Sequence, residues 1–386
     1  MKLDKHNNLI KLTVIVLLIA ISILSVVFIA RYFAISTAKE RLEENYISIV
    51  DFVGRNVTIK TGISRIVAIG PGVLRLVAYL DAVDLVVGVE EAEHQWSRIG
   101  RDYAMAYGDI FVNLSVVGPG GPRNPPDPEK IRIVKPDLVL MSRAYVELYN
   151  PDRLAEEVGA PVVVIDYGEA GYLDIDAFKS TLRFLGKILN REDRAKELCS
   201  YIDQIVIDLR NRVIGIMPKP TVYVGAVSYK GRQPFTSSQI AFPPLTLIDT
   251  PSIVDSLDNR RGFISLDFEY ILQKQPDVVF IDLNNLDVVL NDFNKDRQKF
   301  CSLNAFKNGR VYSILPYNYY HTNVATALAD AYYIGKTLYP ERFSDIDPEQ
   351  KADEIYKTFL GKEIYRMFLE GFGRGFSNLS DLFECS

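Results

Sequence analysis

The chain has 386 residues, 48% of them hydrophobic and 24% charged, which is the composition of a folded globular protein and excludes a disordered one. Its length favours two domains or one bilobed domain. A formal net charge of -5, without a dense lysine and arginine tract, gives no reason to expect a nucleic-acid partner. The three widely spaced cysteines, Cys199, Cys301 and Cys385, exclude a disulfide framework and allow one bridge at most. Cys199 is expected to be a small buried side chain on a helix.

The first 35 residues predict a single membrane anchor, and residues 36–45 a juxtamembrane linker. Residues 12–30 are apolar apart from three hydroxyl side chains, and this is about the length that crosses a bilayer as a helix. Three lysines precede the segment, so the positive-inside rule places the N-terminus in the cytoplasm and the bulk of the chain outside the cell. A cleaved signal peptide is the alternative, although its apolar core is usually shorter and no small-x-small cleavage site is visible. No cysteine lies near the segment, which excludes lipid attachment there.

Residues 46–173 predict an N-terminal α/β lobe. Alternating apolar and polar residues predict a hairpin between residues 46 and 60. A buried strand at 65–69, an apolar helix at 73–80 and a strand at 85–89 then form a βαβ unit, which implies a parallel sheet. The pattern continues with helices at 129–135 and 154–158 and strands at 138–141 and 162–165.

A long helical stretch, residues 174–214, predicts one bridging helix. Its apolar positions recur with helical spacing, and the proline-containing segment 217–220 ends it. Residues 215–386 predict a second α/β lobe that finishes with helices. Its predicted elements are strands at 222–227, 278–281 and 311–314 and helices at 268–273, 326–335 and 348–368.

An internal repeat supports two similar lobes. The segments 129–139 and 269–279 carry Glu, Ile, Pro, Asp and Val at identical offsets. In each, a short helix ends at the proline, and the aspartate turns the chain into a buried strand. The predicted fold is therefore α/β, with two Rossmann-like lobes on parallel central sheets, joined by one long rigid helix and preceded by an N-terminal transmembrane helix.

Known enzyme motifs do not occur in the sequence. The glycine-rich segment 118–122 is interrupted by prolines and lacks the lysine of a phosphate loop, and segment 70–72 lacks the third glycine of a dinucleotide fingerprint. The histidines are His6, His94 and His321, too few for the usual zinc or manganese ligand sets. The sequence predicts no catalytic residues, no metal site and no cofactor of the protein's own. A ferric ion held by tyrosines stays open as an alternative.

Several segments carry a resemblance to a known family: 51–59, 64–69, 234–237, 304–312, 316–336 and the two repeats. They resemble the class III solute-binding proteins of ABC importers, the cobalamin and iron-siderophore group, and within it an archaeal and bacterial iron-transport branch. The resemblance implies two lobes with a ligand cleft between them, an extracytoplasmic location, no enzymatic activity, and an ABC permease with its ATPase as partners. It also implies that Glu129 and Glu269, one in each repeat, form salt bridges with permease arginines. The helix dipole alone also favours a carboxylate at that position, which is the alternative explanation.

Ligand-binding side chains are expected at the carboxyl ends of the strands. The predicted set is Arg75, Trp96, Arg123, Arg143, Tyr145, Tyr229, Arg232, Phe235, Arg261, Tyr317, Tyr319, Tyr320 and His321, with Tyr167, Lys230 and Arg260 as further candidates. Guanidinium groups pair with carboxylate or catecholate oxygens, and phenol rings stack on a ligand or bind iron directly. The set predicts a siderophore-like ferric chelate or a related metal complex. The alternatives are a free metal ion, another small anion, a surface sensor of the same fold, or an enzyme on this scaffold, which would need grouped cysteine ligands.

Overall fold

The computed structural model describes residues 15, 17–18, 21–32, 46–257 and 261–385. Residues 21–32 are helical, and no helix among the described residues is long and apolar enough to cross a membrane. The predicted anchor residues other than 15, 17–18 and 21–32, the linker and Arg260 lie outside the described residues. The membrane anchor therefore stays a prediction.

The chain divides into two compact units, residues 1–49 with 56–62 and residues 50–55 with 63–386. Strands β1 (Tyr46–Val50) and β2 (Asn56–Lys60) form a two-stranded sheet, which confirms the predicted hairpin. The second unit contains both α/β lobes.

The N-lobe is built on a five-stranded parallel sheet in the order β5-β4-β3-β6-β7. Its strands are β3 (Ile66–Ile69), β4 (Val86–Val89), β5 (Ser115–Val116), β6 (Leu138–Ser142) and β7 (Val162–Ile165). Strands β3, β6 and β7 are buried at every position, as expected for a parallel sheet covered on both faces. The chain order reverses between β3 and β6, and such a switch point opens a crevice at the carboxyl ends of the two strands.

Glycine is required where β3 enters this crevice. Gly70 has a φ of 83°, in the left-handed region that glycine adopts most readily. A Cβ atom at Gly70 would lie 2.7 Å from the Cβ of Ser142 and 3.2 Å from the ring of Tyr145. The close approach lets Tyr145 lie across the end of β3.

The C-lobe is built on a three-stranded parallel sheet in the order β12-β11-β8, with a separate antiparallel pair, β9 and β10. The strands are β8 (Val222–Gly225), β9 (Ser237–Ile240), β10 (Gly262–Ser265), β11 (Val278–Asp282) and β12 (Val311–Ile314). Sequence analysis does not predict the β9–β10 pair. Cys301 and Cys385 form the one disulfide that the sequence allows, and Cys199 is buried as expected.

Helices connect the strands of both lobes. Their bounds are Val73–Tyr79, Ala92–Gln95, Asp102–Phe111, Pro128–Ile133, Pro151–Val158, Ile175–Leu189, Glu192–Val213, Pro243–Leu247, Phe268–Lys274, Leu286–Lys295, Arg297–Phe300, Asn304–Lys307, Val324–Leu338, Pro348–Leu360 and Tyr365–Phe372. The predicted helices are present, except that the predicted helix 348–368 is two helices, Pro348–Leu360 and Tyr365–Phe372, because Gly361 ends the first with a φ of 68°. The helices within 92–111, the helix Pro243–Leu247 and the helices within 286–307 are additional to the predicted ones.

The predicted single bridging helix over 174–214 is wrong, because the stretch forms two helices. Asn190 has a φ of 55° and ends the first helix, Ile175–Leu189. The second, Glu192–Val213, has 22 residues and spans roughly 33 Å at 1.5 Å per residue. Near its start Arg194 donates to the backbone oxygen of Tyr79 in the N-lobe, and near its end Arg212 pairs with Asp345 in the C-lobe. This second helix alone is the bridge.

The internal repeat is present in the backbone of both lobes. Lys135 and Gln275, which precede the two repeat prolines, have φ values of 46° and 45°. The Asp137 carboxylate accepts from the backbone and hydroxyl of Ser64, and the Asp277 carboxylate accepts from the same two groups of Thr221. The same aspartate therefore holds the start of the first strand of each sheet, which confirms the predicted equivalence of the repeats.

Candidate functional site

The two lobes meet at a segment of the C-lobe that we call the cleft loop, residues 317–323. It follows β12 and leads into the helix Val324–Leu338. Tyr320 and His321 have φ values of 54° and 85°, which are uncommon for residues with a side chain. Such conformations cost about 1–3 kcal/mol each and persist only where the surroundings hold them. The contacts of the cleft loop with the N-lobe are those surroundings.

Arg75 anchors the backbone of the cleft loop. Its side chain is fully buried and forms an ion pair with Asp102, with Nε 2.8 Å from Oδ1. The remaining guanidinium hydrogens point to the backbone oxygens of Tyr319 and Tyr320, to the amide oxygen of Asn323 and to the hydroxyl of Tyr167. All of its donors are therefore used inside the protein, and Arg75 acts as a fastener between the lobes.

A cluster of oxygens surrounds the tip of Tyr320. The Glu90 carboxylate accepts from Tyr145 at 2.8 Å through Oε1 and from Tyr320 at 2.7 Å through Oε2. The two phenol oxygens are 3.4 Å apart, and the backbone of Gly121 donates to Tyr320. We call Glu90, Tyr145 and Tyr320 the Glu90 cluster. Burial raises the pKa of Glu90 to about 7, against the lowering effect of these hydrogen bonds.

His321 is held as a neutral ring. Its Nδ1 accepts from the backbone of Thr322, so its Nε2 carries the hydrogen that it donates to the backbone oxygen of Gly168 at 3.1 Å. Burial, with the charge of Arg75 as the next cause, lowers the pKa of His321 to about 3. Because both ring nitrogens are engaged, the imidazole is not a metal ligand in this conformation.

Aromatic rings line the cleft on either side of the loop. On the N-lobe side, Trp96 stacks against Tyr319 at 6.4 Å and meets the edge of Tyr320 at 5.0 Å. On the C-lobe side, Tyr229 stacks on Phe263 with ring centroids 4.1 Å apart. The amide of Asn318 in the loop donates to the backbone oxygen of Ser228, next to Tyr229. We call these two groups of rings, which Asn318 of the loop connects through its hydrogen bond to Ser228, the aromatic strip.

Basic side chains remain exposed around this strip. Arg123 lies two residues beyond Gly121, whose surroundings include the Trp96 ring. Arg143 follows β6 and pairs at 2.8 Å with Asp166, which follows β7, and its side chain is still 61% exposed. Arg261 is exposed beside Phe263, and its backbone oxygen accepts from Tyr172 of the N-lobe. These cations are available to an anionic solute.

The structure corrects four of the predicted ligand contacts, because each side chain is at most 2% exposed: Arg75, Tyr145, Tyr317 and Phe235. Arg75 and Tyr145 are bound to other residues as described above. Tyr317 donates to the backbone oxygen of Gly171 and to Gln239. Phe235 packs among Tyr223, Phe268, Phe300 and Phe306 in the C-lobe core. Tyr167 is also buried, beneath the ring of His321.

Other predicted residues stay at least partly accessible: Trp96, Arg123, Arg143, Tyr229, Lys230, Arg232, Arg261, Tyr319, Tyr320 and His321. Unlike the residues of the cleft loop, Arg232 pairs within its own lobe, with Asp287. Tyr319, Tyr320 and His321 of the cleft loop are the predicted residues that contact the opposite lobe, and their contact with a ligand stays a prediction.

Sequence reasoning missed the buried carboxylates of the site. Glu90 follows β4 directly, and Glu93 and Asp102 pair with the buried Arg101 and Arg75. Glu90 obeys the same strand-end rule as the predicted residues, and this rule is the signal that identifies it when carboxylates are included with basic and aromatic side chains. Across residues 46–257 and 261–385 and the described part of the N-terminus, no three His, Cys, Asp or Glu side chains are grouped to hold a metal.

The two predicted docking glutamates occupy equivalent places. Glu129 is the second residue of the helix Pro128–Ile133, and Glu269 is the second residue of the helix Phe268–Lys274. Both side chains are exposed. Their shared position confirms the geometric part of the prediction, while contact with a permease stays a prediction.

Two α/β lobes joined by a single helix, with polar side chains gathered where strand ends of both lobes meet, define a bilobed solute-binding protein. Residues 66–317 match the sequence profile of the periplasmic binding protein family. The chain belongs to this family, as its sequence motifs predict, and is a solute-binding protein of the kind that serves ABC transporters.

Named relatives differ in what they bind. The molybdate-binding protein MolA of Haemophilus influenzae is 24% identical over 344 residues, which cover 81% of this chain and 90% of MolA. The petrobactin-binding protein YclQ of Bacillus subtilis is 25% identical over 205 residues, 48% of this chain and 57% of YclQ. The relatives are binding proteins and not enzymes, which confirms that prediction.

The fold is also that of solved binding proteins. The TroA-like periplasmic binding protein FepB from Veillonella parvula superposes with a TM-score of 0.62 at 23% identity, over 82% of this chain and 97% of FepB. MolA with bound molybdate gives a TM-score of 0.62 at 20% identity, over 82% of this chain and 98% of MolA. These likenesses show a shared α/β architecture.

Proposed function

We propose that the protein captures a ferric chelate or a related anionic metal complex in the cleft and delivers it to an ABC permease. The observation that carries the proposal is the aromatic strip of Trp96, Tyr319 and Tyr229 with exposed arginines beside it. Aromatic faces and guanidinium groups suit a flat, anionic chelate. The neutral, fully engaged ring of His321 argues against the imidazole-based sites that bind free divalent metals.

A second candidate solute is a small oxyanion. MolA is named for molybdate, and its match extends over 81% of this chain. The exposed guanidinium groups of Arg123 and Arg143 are suited to oxyanions as well as to chelates. An oxyanion, however, does not use the aromatic rings of the strip, and for that reason we favour the chelate.

The place of action that we propose is the outer face of the cell membrane, with the N-terminal segment as anchor. The Cys301–Cys385 disulfide supports an extracytoplasmic compartment, because disulfides persist mainly in oxidising environments. Glu129 and Glu269 are the proposed contacts with permease arginines, one from each lobe. Intact-mass measurement of the membrane fraction tests the anchor, and a mass that lacks the first thirty or so residues would contradict it.

Calorimetric titration of the full-length chain tests the solute class. We expect tight binding of a ferric siderophore, with weak or no binding of zinc and molybdate. The double variant Arg123→Ala/Arg143→Ala is expected to weaken chelate binding by about 100-fold or more, because each charge-assisted hydrogen bond contributes about 1.5–3 kcal/mol. Arg153→Ala is the matched control, since Arg153 is similarly exposed, pairs with Glu157 and lies outside the predicted ligand set. Tight zinc or molybdate binding without chelate binding would overturn the proposal.

A further inference from the structure

The Glu90 cluster has more short contacts than hydrogens to fill them while Glu90 is ionised. The Tyr145 hydroxyl lies 2.8 Å from Glu90 Oε1 and 2.9 Å from the backbone oxygen of Gly121, yet it carries a single hydrogen. The Tyr320 hydroxyl donates to Glu90 Oε2 at 2.7 Å and accepts from the Gly121 amide at 2.9 Å. With an ionised Glu90, one of the two contacts of Tyr145 therefore joins oxygens that have no hydrogen between them.

One added proton completes the cluster. A protonated Glu90 donates from Oε1 to the Tyr145 oxygen, Tyr145 then donates to Gly121, and Oε2 still accepts from Tyr320. Each of these contacts then contains one hydrogen, as expected for buried polar groups. Burial raises the pKa of both phenols, so they keep their hydrogens near neutral pH. The Glu90 carboxyl is therefore the group of the cluster that gains or loses a proton.

The groups that face Glu90 favour its protonated form. Burial, and to a smaller degree the like charge of Glu93, raises the pKa of Glu90 to about 7. Arg101 is held by Glu93 at 2.7 Å, and Arg143 is held by the carboxylate that follows β7 at 2.8 Å. From the end of β3 and from the glycine-rich segment, backbone groups face the carboxyl, among them the amide of Gly70. Both arginines are thus committed to other carboxylates.

We propose that the Glu90 cluster is a proton-dependent latch between the lobes, closed when Glu90 is protonated and opened when it is ionised. Glu90 and Tyr145 belong to the N-lobe and Tyr320 to the C-lobe. An ionised carboxylate buried without a cation is costly, and withdrawal of the Tyr320 side chain lets water reach it. Arg75 keeps its bonds to the loop backbone, so opening is a rotation of the Tyr320 side chain that uncovers the Trp96 ring.

The latch has a defined pH window. In the open state water reaches Glu90 and its pKa returns towards the ordinary 4.5, whereas in the closed state it is raised to about 7. Closure therefore takes up a proton between these values, and its equilibrium constant falls by about tenfold for each pH unit as the pH rises through the window. A solute that stacks on Trp96 would find the ring uncovered more often above pH 7. This consequence rests on the proposed function, and the latch itself does not.

The test follows the fluorescence of Trp96, the one tryptophan of the chain, in the full-length protein without solute. The Tyr320 ring covers it at 5.0 Å. Acrylamide quenches exposed tryptophan and is uncharged, so its quenching constant reports how far the ring is uncovered at each pH. We expect quenching to rise by about twofold or more between about pH 5 and about pH 8, in a transition of one proton.

Two variants and one control identify the group responsible. Glu90→Gln places an amide donor and an acceptor where the protonated carboxyl has them, so quenching should stay low at every pH. Tyr320→Leu removes the ring and hydroxyl that cross between the lobes, so quenching should be high at every pH. His94→Gln is the control, because imidazoles titrate in this range and His94 lies two residues from Trp96, and it should keep the rise.

Each outcome decides the inference. Equal quenching at both ends of the pH range in the unchanged protein overturns the latch, and so does a rise that persists in Glu90→Gln. A rise that is lost in His94→Gln assigns the response to that imidazole and also overturns it. Low, flat quenching in Glu90→Gln together with high, flat quenching in Tyr320→Leu supports the latch. Circular dichroism shows which variants fold, and the folded ones decide. Because no solute is present, failure of the latch leaves the proposed function standing.

Discussion

The carboxyl ends of the two sheets have the same backbone and different side-chain chemistry. After β6 and after β11 the chain makes a one-turn 3-10 helix, Arg143–Tyr145 in the N-lobe and Leu283–Asn285 in the C-lobe. The Tyr145 hydroxyl donates to Glu90, which lies on another segment of the N-lobe. Its oxygen is also close to the hydroxyl of Tyr320 in the other lobe. Asn285 instead bonds to Ala226, Ser228, Arg232 and Gln233, all within the C-lobe.

The two copies of the repeat therefore share a backbone plan and differ in the side chains that follow the strand. The repeat preserves helix, proline, aspartate and strand, which decide how each sheet is built. At the end of the N-lobe sheet, Tyr145 approaches a residue of the other lobe. At the end of the C-lobe sheet, the hydrogen bonds of Asn285 given above all lie within its own lobe. We therefore expect changes at the N-lobe end to act on the contact between lobes, and changes at the C-lobe end to act on one lobe.

The largest effect is expected at Arg75, the fastener between the lobes. Arg75→Met should lower the free energy of unfolding by about 3–5 kcal/mol, because it leaves the buried Asp102 carboxylate without its partner. Arg232→Met is the matched change at the C-lobe end, where the side chain is 52% exposed, and it should cost less than about 1 kcal/mol. Denaturant unfolding measures both. Equal losses would contradict a special role for the N-lobe end.

Removal of the disulfide tests how far the C-lobe is stabilised by its own links. The Cys301–Cys385 bridge spans 84 residues, and Cys385→Ser should lower the free energy of unfolding by about 2–5 kcal/mol through the greater freedom of the unfolded chain. A reducing agent should lower the stability of the unchanged protein by a similar amount and leave Cys385→Ser unaffected. Sensitivity of the variant to reduction would show that another thiol is responsible.

A buried carboxyl at the end of β11 predicts a pH dependence. Burial raises the pKa of Asp282 to about 6, against hydrogen bonds from Asn284 and Ser228. The folded state holds the proton more tightly than the unfolded state, so this contribution to stability is present below about pH 4 and is lost as the pH rises through 6. Asp282→Asn should flatten the pH profile between these values by about 1–3 kcal/mol. An unchanged slope in denaturant unfolding at several pH values would refute the assignment.

The smallest effect on stability is expected at the docking glutamates. Glu129→Gln and Glu269→Gln should each cost about a few tenths of a kcal/mol, because an exposed carboxylate in a first helical turn gains little from the helix dipole. Solute affinity should stay unchanged, while uptake in a reconstituted transporter should fall for each variant and most for the double variant. Normal uptake by the double variant would leave these residues as helix-stabilising groups only.

Much of the fold was accessible from the sequence because its signals are local. The strands at 162–165 and 311–314 are short apolar runs between breakers, and the structure has them as Val162–Ile165 and Val311–Ile314. The predicted bridging helix is too long, and the reason is also local. Asn190 interrupts the stretch by adopting a left-handed conformation, and no proline or glycine marks that position.

The candidate site was only partly accessible, because burial depends on contacts distant in the sequence. Arg75 and Trp96 both follow N-lobe strands, but Arg75 is enclosed by a loop about 245 positions away, as its contact with Tyr320 shows, while Trp96 remains partly exposed. The sequence neighbours of Arg75 and Trp96 do not show which of the two side chains becomes buried.

The sequence by itself determined the family, the two-lobe plan and the equivalence of Glu129 and Glu269, because periodicity, breakers and the repeat are written in consecutive residues. The tertiary structure alone decided which side chains face the cleft and that Glu90, Tyr145 and Tyr320 converge. These three lie on separate segments: the N-lobe fold brings Glu90 and Tyr145 together, and the packing of the C-lobe against it brings the Tyr320 oxygen within 3.4 Å of theirs. Such convergence costs chain entropy that many distant contacts together must offset, so no local pattern encodes it.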